Sequence, residues 1–250
     1  MFEARNLGMS YSVAGRSVAA LEGVDLDLSR GSFTAIVGRS GCGKTTLLRI
    51  LAGLAEPTSG TLSFAGGGRP RVGYVFQEPR LMPWLSVARN AGFGLRGRIP
   101  QEVIDQRVGE ALALVGLSGF AEATPEQLSG GMAQRVAIAR ALVLEPDLLL
   151  MDEPFGALDA FTRRTMQQEL VEIWRKRRPT VVFVTHDVEE AVLLGEAIAE
   201  LSAGRLVGLR RVDLPYPRDA TDPALLAHRR AVLERLLETR THPLQKEIVS

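Results

Sequence analysis

The segment GRSGCGKT, from Gly38 to Thr45, restricts the possible folds of this chain more than any other stretch. It matches the pattern G-x-x-x-x-G-K-[ST] and lies between a predicted strand, Phe33 to Val37, and a predicted helix, Lys44 to Leu54. Glycines allow backbone N–H groups to surround a polyphosphate, and the helix N-terminus favours its negative charge. The segment therefore predicts a phosphate-binding loop, in which Lys44 contacts the β- and γ-phosphates and Thr45 binds Mg²⁺. A chance match is the alternative, and the agreement of pattern with context disfavours it.

Short apolar or alternating runs recur along the chain and predict further strands. They are Glu3 to Tyr11, Val24 to Leu28, Thr61 to Phe64, Val72 to Phe76, Leu148 to Met151, Thr180 to Val184 and Ala197 to Leu201. The late runs alternate with helical patterns at Ala160 to Lys176 and Val188 to Leu194, as in parallel sheets with crossover helices. Only helical patterns occur between Pro79 and Leu144. We therefore expect an α/β domain of residues 1–214 with a helical subdomain inserted at about 79–145, followed by a linker and helical tail over residues 215–250.

The composition excludes several classes of protein. The chain has 250 residues, 46% of them hydrophobic, and a formal net charge of +1, so it can bury one substantial core but has no global field for nucleic acid. Its one cysteine, Cys42, excludes an internal disulfide and a multi-cysteine zinc site. No N-terminal signal pattern and no run of about 18 apolar residues occurs, so we expect a cytosolic protein. From the near-neutral net charge we expect that it binds no nucleic acid.

The segment LLLMDEP, from Leu148 to Pro154, combines a buried strand with two carboxylates at its end. In a parallel sheet this end lies at the edge where ligands bind. By itself the pattern could be a strand with a polar end. Beside a phosphate-binding loop, it predicts that Asp152 contacts Mg²⁺ and that Glu153 orients or deprotonates the water that attacks ATP.

The segment LSGGM, from Leu128 to Met132, begins a predicted helix, with Ser129 in the capping position. An ordinary helix cap is the usual explanation of such a segment. Gly130 and Gly131 leave the first amide groups accessible, which suits an anion. A second anion-binding helix start suggests that a phosphate is held from two sides.

Six segments in this order resemble the ATP-binding subunit of ATP-binding cassette (ABC) transporters: GRSGCGKT, VFQEP, LSGGM, LLLMDEP, GALD and VTHD. The resemblance covers about Tyr11 to Leu206 and implies a P-loop NTPase of ABC type, with an inserted helical subdomain and an N-terminal antiparallel β portion. It implies that Tyr11 stacks on adenine, that Gln77 joins the γ-phosphate and Mg²⁺ to the helical subdomain, and that His186 contacts the γ-phosphate. Met132 departs from the glutamine that is commoner in the family, so its side chain is given no phosphate role.

The candidate site follows from these motifs and from the resemblance. The residues assigned to catalysis are Glu153, His186 and Gln77, and those assigned to Mg²⁺ are Thr45, Gln77 and Asp152. The residues assigned to ATP are Tyr11, Gly38, Arg39, Ser40, Gly41, Cys42, Gly43, Lys44, Thr45, Thr46, Ser129, Gly130, Gly131 and Asp159. The cofactors implied are ATP and Mg²⁺.

The resemblance also implies partners. Two subunits pair head to tail on binding ATP, with Asp159 at the dimer contact. They bind transmembrane permease subunits at the cytoplasmic face of the inner (cell) membrane, as peripheral proteins. A solute-binding protein is an indirect partner. The stretches FQEPRLMPWLSVARNAGFGL, DEPFGALDAFTR and LPYPRD most resemble importers of nitrate, sulfonates, taurine and related solutes. The segment Glu78 to Val87 is a candidate permease-docking surface, with burial of Trp84 in the core as the alternative. Rival functions are a soluble ABC-type ATPase not coupled to transport, an export cassette and a small-molecule kinase.

Overall fold

A computed structural model of the chain describes residues 2–65 and 68–238. The strands within these ranges are β1 Phe2–Val13, β2 Arg16–Leu28, β3 Phe33–Val37, β4 Ser59–Phe64, β5 Val72–Val75, β6 Leu148–Asp152, β7 Thr180–Thr185, β8 Ala197–Ser202 and β9 Arg205–Arg211. The α-helices are α1 Lys44–Leu51, α2 Val87–Ala91, α3 Gln101–Leu114, α4 Gly130–Leu142, α5 Ala160–Arg177, α6 Val188–Leu194 and α7 Pro223–Glu238. No helix in these ranges is long and apolar enough to span a bilayer.

The strands form two sheets. A three-stranded antiparallel sheet has the order β2-β1-β4, and a six-stranded sheet has the order β5-β6-β7-β3-β8-β9. In the larger sheet all neighbours are parallel except β9, which runs antiparallel to β8. The expected α/β fold with an N-terminal antiparallel portion is therefore confirmed.

The central strands of the larger sheet are apolar because both of its faces are covered. Every residue of β3, β6 and β7 is buried, which explains their continuous rather than alternating apolar sequences. One face packs against α2 to α7, and the other packs against α1 and the antiparallel sheet. The core therefore consists of two apolar layers that enclose the parallel strands.

Two strands differ from the sequence prediction. The second strand begins at Arg16 rather than Val24, after a turn at Ala14 and Gly15, both of which have positive φ. Its first four residues are exposed, so they lack the alternation that marks a half-buried strand. The strand β9 was missed because it is an antiparallel edge strand rich in arginine.

The predicted helix Lys44 to Leu54 ends earlier, at Leu51. Gly53 adopts a left-handed φ of 70°, and the N–H of Leu54 donates to the carbonyl of Arg49 at 2.8 Å. This hydrogen bond is typical of a helix terminated by glycine, so the apolar spacing continued beyond the true end of the helix.

The chain between β5 and β6 contains helices and turns but no strand. Its helix α4 is attached to the segment that follows β5 through two side chains. Gln134 donates to the carbonyl of Phe76 at 3.2 Å, and Arg140 donates to the carbonyls of Pro79 and Arg80 at 2.7 and 2.9 Å. The limits of this region as a subdomain stay a prediction.

The segment that follows β9, predicted as a linker, packs against the domain through Arg218. This guanidinium is 9% exposed and lies over the Tyr216 ring, 4.1 Å from its centroid. It makes five hydrogen bonds of 2.6 to 3.2 Å to four backbone carbonyls, those of Val192, Gly195, Val212 and Leu214. The chain from β9 to α7 is therefore fastened to the C-terminal end of α6. The last part of the predicted tail, residues 239–250, lies outside the described residues.

The carboxylate of Glu200 on β8 is 1% exposed and joins α7 to the sheet. It pairs with Arg235 of α7 at 3.2 Å and with Arg210 of β9 at 3.9 Å. Burial raises the pKa of Glu200, and the two arginines oppose that shift. The C-terminal helix is thus held by the ion pair of the partly exposed Arg235 with this buried carboxylate as well as by its apolar residues.

Candidate active site

Four neighbouring parallel strands end at the same edge of the larger sheet, and each is followed by a predicted site residue. Gln77 follows β5, Asp152 ends β6, His186 follows β7, and the loop that begins at Gly38 follows β3. Because parallel strands present their carboxyl ends together, the fold places these groups along one edge, where ligands of open α/β sheets bind.

The loop from Gly38 to Thr45 wraps the start of α1 and needs its glycines. Gly43 has φ of 105°, a left-handed conformation that suits glycine, and a Cβ there would clash with the carbonyl of Ala20. The ammonium of Lys44 donates to the carbonyls of Gly38 and Arg39 at 2.8 and 3.0 Å, and the side chain is 6% exposed. The one cation of the loop that is buried is therefore positioned over its backbone.

Other loop residues differ in exposure. Arg39, Ser40 and Gly41 are exposed, whereas Cys42 is buried, and burial raises the pKa of its thiol. The hydroxyl of Tyr11 lies 3.5 Å from Oγ1 of Thr46, and its side chain is partly exposed. The aromatic ring predicted to stack on adenine is thus close to the start of α1.

Thr45 and Asp152 form an oxygen pair beside the loop. Oγ1 of Thr45 donates to Oδ1 of Asp152 at 3.2 Å. Asp152 is 4% exposed, and burial raises the pKa of its carboxyl, while the hydrogen bond from Thr45 lowers it. A buried carboxylate next to a hydroxyl is a suitable partial ligand set for Mg²⁺, which usually takes one or two protein oxygens together with phosphates and water.

Glu153 and His186 are in direct contact. Oε2 of Glu153 lies 3.0 Å from Nδ1 of His186, and the histidine side chain is 67% exposed. Glu153 has a positive φ of 45°, which is uncommon for a residue with a side chain and which occurs at functional sites. The backbone of this residue thus makes a sharp turn at the end of β6, with its carboxylate beside the histidine.

Gln77 is exposed. Among the described residues, no hydrogen bond joins its side chain to Thr45 or to Asp152. It lies two residues beyond β5, at the same edge as those oxygens. Its predicted roles toward Mg²⁺ and the γ-phosphate stay predictions.

The remaining predicted residues form a separate group. Ser129 caps α4, with its hydroxyl accepting from the N–H of Met132 at 3.2 Å, and a Cβ on Gly131 would lie 3.3 Å from Leu158. Asp159 caps α5 and accepts from the N–H groups of Phe161 and Thr162, and hydrogen bonding first by the Thr162 side chain and then by these N–H groups lowers its pKa. No hydrogen bond between described residues joins Ser129–Gly131 or Asp159 to the phosphate loop.

A buried polar cluster behind the site was not predicted. Glu190 of α6 is 8% exposed and accepts from Thr185 at 2.7 Å and from Gln167 at 3.1 Å. It also faces Arg163 of α5 at 3.9 Å. Burial raises the pKa of Glu190, against the hydrogen bond from Thr185. An acidic residue in the first turn of a helix is ordinary, so the sequence alone gave no reason to select it.

The chain is similar to known ABC proteins. The family model described as "ABC transporter" matches residues 21–156, more than half of the chain. The chain is 46% identical to the aliphatic sulfonates import ATP-binding protein SsuB of Bacillus subtilis, over 90% of each chain. It is 49% identical to SsuB 3 of Nocardia farcinica, over 90% of this chain and 87% of the relative. Among solved structures, a dimeric, post-hydrolysis ATP-binding cassette bound to ADP and Pi matches with a TM-score of 0.80 at 33% identity, over 86% of this chain and 100% of that chain.

Proposed function

The chain belongs to the ABC transporter family and is an ATP-binding, ATP-hydrolysing protein of that family, and from this we propose that it is the motor subunit of an importer for an aliphatic sulfonate or a related small solute. The motor is a homodimer on ATP binding, attached from the cytoplasmic side to transmembrane permease subunits. A solute-binding protein supplies the solute to those subunits.

The proposed dimer is supported by the separation of the two groups of site residues. Lys44, Asp152 and Glu153 lie at the strand edge, whereas Ser129–Gly131 and Asp159 lie at the starts of α4 and α5, and in the described part of the chain no hydrogen bond joins them to the loop. A second chain placed head to tail brings its LSGG segment to the ATP bound by the first. Each composite site then contains residues of both chains, and ATP connects them.

Within each composite site we assign the chemistry as follows. Lys44 and the loop amides bind the phosphates, and Tyr11 stacks on adenine. Glu153 orients the attacking water and accepts its proton, as the water oxygen bonds to the γ-phosphorus and the bond to the bridging oxygen of ADP breaks. His186, held beside Glu153, contacts the γ-phosphate.

Thr45 and Asp152, with Gln77 at the same edge, are the residues that would hold Mg²⁺, which supplies charge neutralisation at the β- and γ-phosphates. Asp152 is the buried member of this set, so the removal of its carboxylate should weaken the binding of MgATP more than that of ATP in EDTA.

A mixing experiment tests the dimer. Lys44→Ala removes a charge-assisted phosphate contact, and Ser129→Arg blocks the proposed contact with the partner's ATP. Each homodimer should lack turnover, while a 1:1 mixture should recover ATPase activity because one composite site in each mixed dimer is intact. If Ser129→Arg abolishes the ATP binding of the isolated monomer, Ser129 belongs to the chain's own site and the head-to-tail arrangement is wrong.

Glu153→Gln tests the catalytic assignment. The change keeps the shape and hydrogen bonding of the side chain but removes the base, so ATP binding should persist while turnover falls by about 10² or more. The variant should accumulate as an ATP-bound dimer, measured by gel filtration with and without ATP. Hydrolysis at the parent rate would exclude Glu153 as the base.

The proposed permease-docking surface is the segment Glu78 to Val87. Trp84 is 75% exposed, so it does not fill the core, whereas Leu85 is buried and anchors the segment. The side chain of Asn90 accepts from the N–H of Met82 and donates to three carbonyls of the segment at 3.0 to 3.1 Å, which fixes its shape. An exposed tryptophan on a fixed loop suits an interface anchor.

Co-purification with the permease tests this surface. Trp84→Ala should leave the Tm and ATP binding unchanged and weaken permease association by about 1 to 3 kcal/mol. Leu209→Ala, which shortens another exposed apolar side chain on β9, is the matched control and should change none of the three. Equal permease binding by both variants would place the docking surface elsewhere.

The solute is inferred from relatives that are named aliphatic sulfonates import proteins. A strain lacking this chain should fail to grow on an alkanesulfonate as sole sulfur source, and the wild-type chain should restore growth while Glu153→Gln should not. Growth defects on nitrate or taurine instead would reassign the solute. Full ATPase activity with no membrane association in cells would favour the soluble ABC-type ATPase.

A further inference from the structure

The turn that carries His186 is shaped by the residue before it. The hydroxyl of Thr185, at the end of β7, accepts from the N–H of Asp187 at 3.0 Å and donates to Oε2 of Glu190 at 2.7 Å. Thr185 is 2% exposed, so neither bond is shared freely with solvent. The carboxylate of Glu190 therefore fixes the Thr185 hydroxyl. That hydroxyl, by accepting from the N–H of Asp187, holds the turn that carries His186.

The other oxygen of the same carboxylate faces a different part of the site. Oε1 of Glu190 accepts from Gln167 and lies 3.9 Å from Nε of Arg163, an ion pair beyond hydrogen-bond range. Arg163 donates in turn to the carbonyl of Leu158 at 3.1 Å. Leu158 precedes Asp159, so Arg163 supports the segment that is proposed to meet the partner chain.

The buried Glu190 carboxylate thus lies beside Thr185, which supports the His186 turn, and beside Arg163, which supports the Leu158–Asp159 segment. The first segment, at His186, serves the ATP bound by its own chain, and the second, at Leu158 and Asp159, lies beside Gly131 at the surface that serves the partner's ATP. Thr185 and Glu190 are buried and hydrogen-bonded to each other, so a shift of the His186 turn would move Thr185 and the Glu190 carboxylate with it. That movement changes the distance to Arg163.

We propose that Glu190 is a positioning residue that couples the His186 turn to the Leu158–Asp159 segment, so that ATP bound by one chain prepares the composite site completed on its partner. The inference rests on the proposed head-to-tail dimer. In this proposal Glu190 acts through Thr185 and Arg163 rather than by binding ATP itself.

ATP-driven dimerisation provides the test. In a Glu153→Gln background, which retains ATP, dimer formation is followed by sedimentation velocity across an ATP titration. Glu190→Gln keeps an oxygen for Thr185 but removes the charge that attracts Arg163, and Arg163→Gln removes the same attraction from a partly exposed side chain. Each should raise the half-maximal ATP concentration about 10-fold and reduce the Hill coefficient to about 1, with ATP binding by the monomer and the Tm nearly unchanged.

A double-mutant cycle separates coupling from general damage. If the two side chains act as one bridge, the variant with both changes should be no worse than either single variant. Glu189→Gln is the matched control, since it removes a neighbouring charge that pairs with Arg229 instead, and it should match the background. In the otherwise wild-type chain, Glu190→Gln should lower kcat by about 10- to 100-fold with little effect on monomer affinity.

Three outcomes would overturn the proposal. They are an unchanged ATP titration for Glu190→Gln, additive effects in the cycle, and an equal defect in Glu189→Gln. Failure of the Glu153→Gln chain itself to dimerise with ATP would instead refute the proposed dimer, so the two failures are distinguishable.

Discussion

Replacing Arg218 with Met should strongly destabilise the fold while preserving most of the side-chain volume. The guanidinium donates five hydrogen bonds to four carbonyls, two of them at the C-terminal end of α6. Each carbonyl left without a partner costs about 1 kcal/mol, and loss of the stacking on Tyr216 adds about 1 kcal/mol. Since burial of the cation is itself unfavourable and lowers the pKa of Arg218, part of this loss is offset, and we expect a net decrease of about 3 to 4 kcal/mol in the free energy of unfolding.

Urea unfolding followed by circular dichroism measures the change, with the midpoint decreasing and the slope unchanged. Arg218→Lys should lower the free energy of unfolding by more than half of the decrease caused by Arg218→Met, because an ammonium lacks the planar fork that reaches several carbonyls. Arg230→Met is the matched control, since that arginine is exposed and pairs with Glu234 at the surface, and it should unfold at the wild-type midpoint. If Arg218→Met also unfolds there, the hydrogen bonds do not stabilise this segment and the reasoning is wrong.

Three further expectations concern single positions. Trp174→Phe removes the ring N–H that donates to the carbonyl of Gly31 at 2.9 Å, so the free energy of unfolding should fall by about 1 to 3 kcal/mol in the same urea assay. Gly43→Ala places a Cβ against a backbone carbonyl of β2 at a positive φ, and calorimetric titration should show ATP affinity reduced by about 10-fold or more. The pKa of Asp147 is held below its usual value by hydrogen bonds from Arg71, so its stabilisation exists above the unfolded pKa of about 3.9 and is lost as the pH falls through the lower folded value. The difference in urea midpoint between wild type and Asp147→Asn should accordingly be largest above pH 5 and shrink in strong acid.

The place of these candidate residues at one sheet edge could be predicted because the signals are local. The strand β6 begins as a continuous apolar run and ends at Asp152, with Glu153 directly after it, so the place of both carboxylates at the sheet edge follows from strand direction alone. The same holds for the loop at Gly38 and for His186 after β7. The role of the loop toward ATP and Mg²⁺ was predicted from its pattern and that of His186 from the resemblance, and both stay predictions.

The features that sequence reasoning missed depend on contacts between distant segments. Glu190 and Arg163 lie on different helices, and each alone resembles a polar residue of an ordinary helix surface. Arg218 lies within the turn-rich segment that was predicted as a linker, and only the fold brings four carbonyls around it. The edge strand β9 gave no signal because its exposed arginines hide the alternation. Burial of such polar groups is a property of the folded chain, not of local spacing.

The buried carboxylate of Glu200 also has a consequence for how this chain can diverge. Arg210 and Arg235 reach it from different elements, and both arginines are partly exposed while the carboxylate itself is buried. Loss of both arginines would leave the buried carboxylate unpaired and destabilise the fold, whereas joint replacement of all three residues by apolar residues of similar volume can be neutral. A lineage that loses the two arginines but keeps Glu200 would become poorly stable. Among descendants of this chain, the three positions should therefore change together, as charged residues in one branch and apolar residues in another.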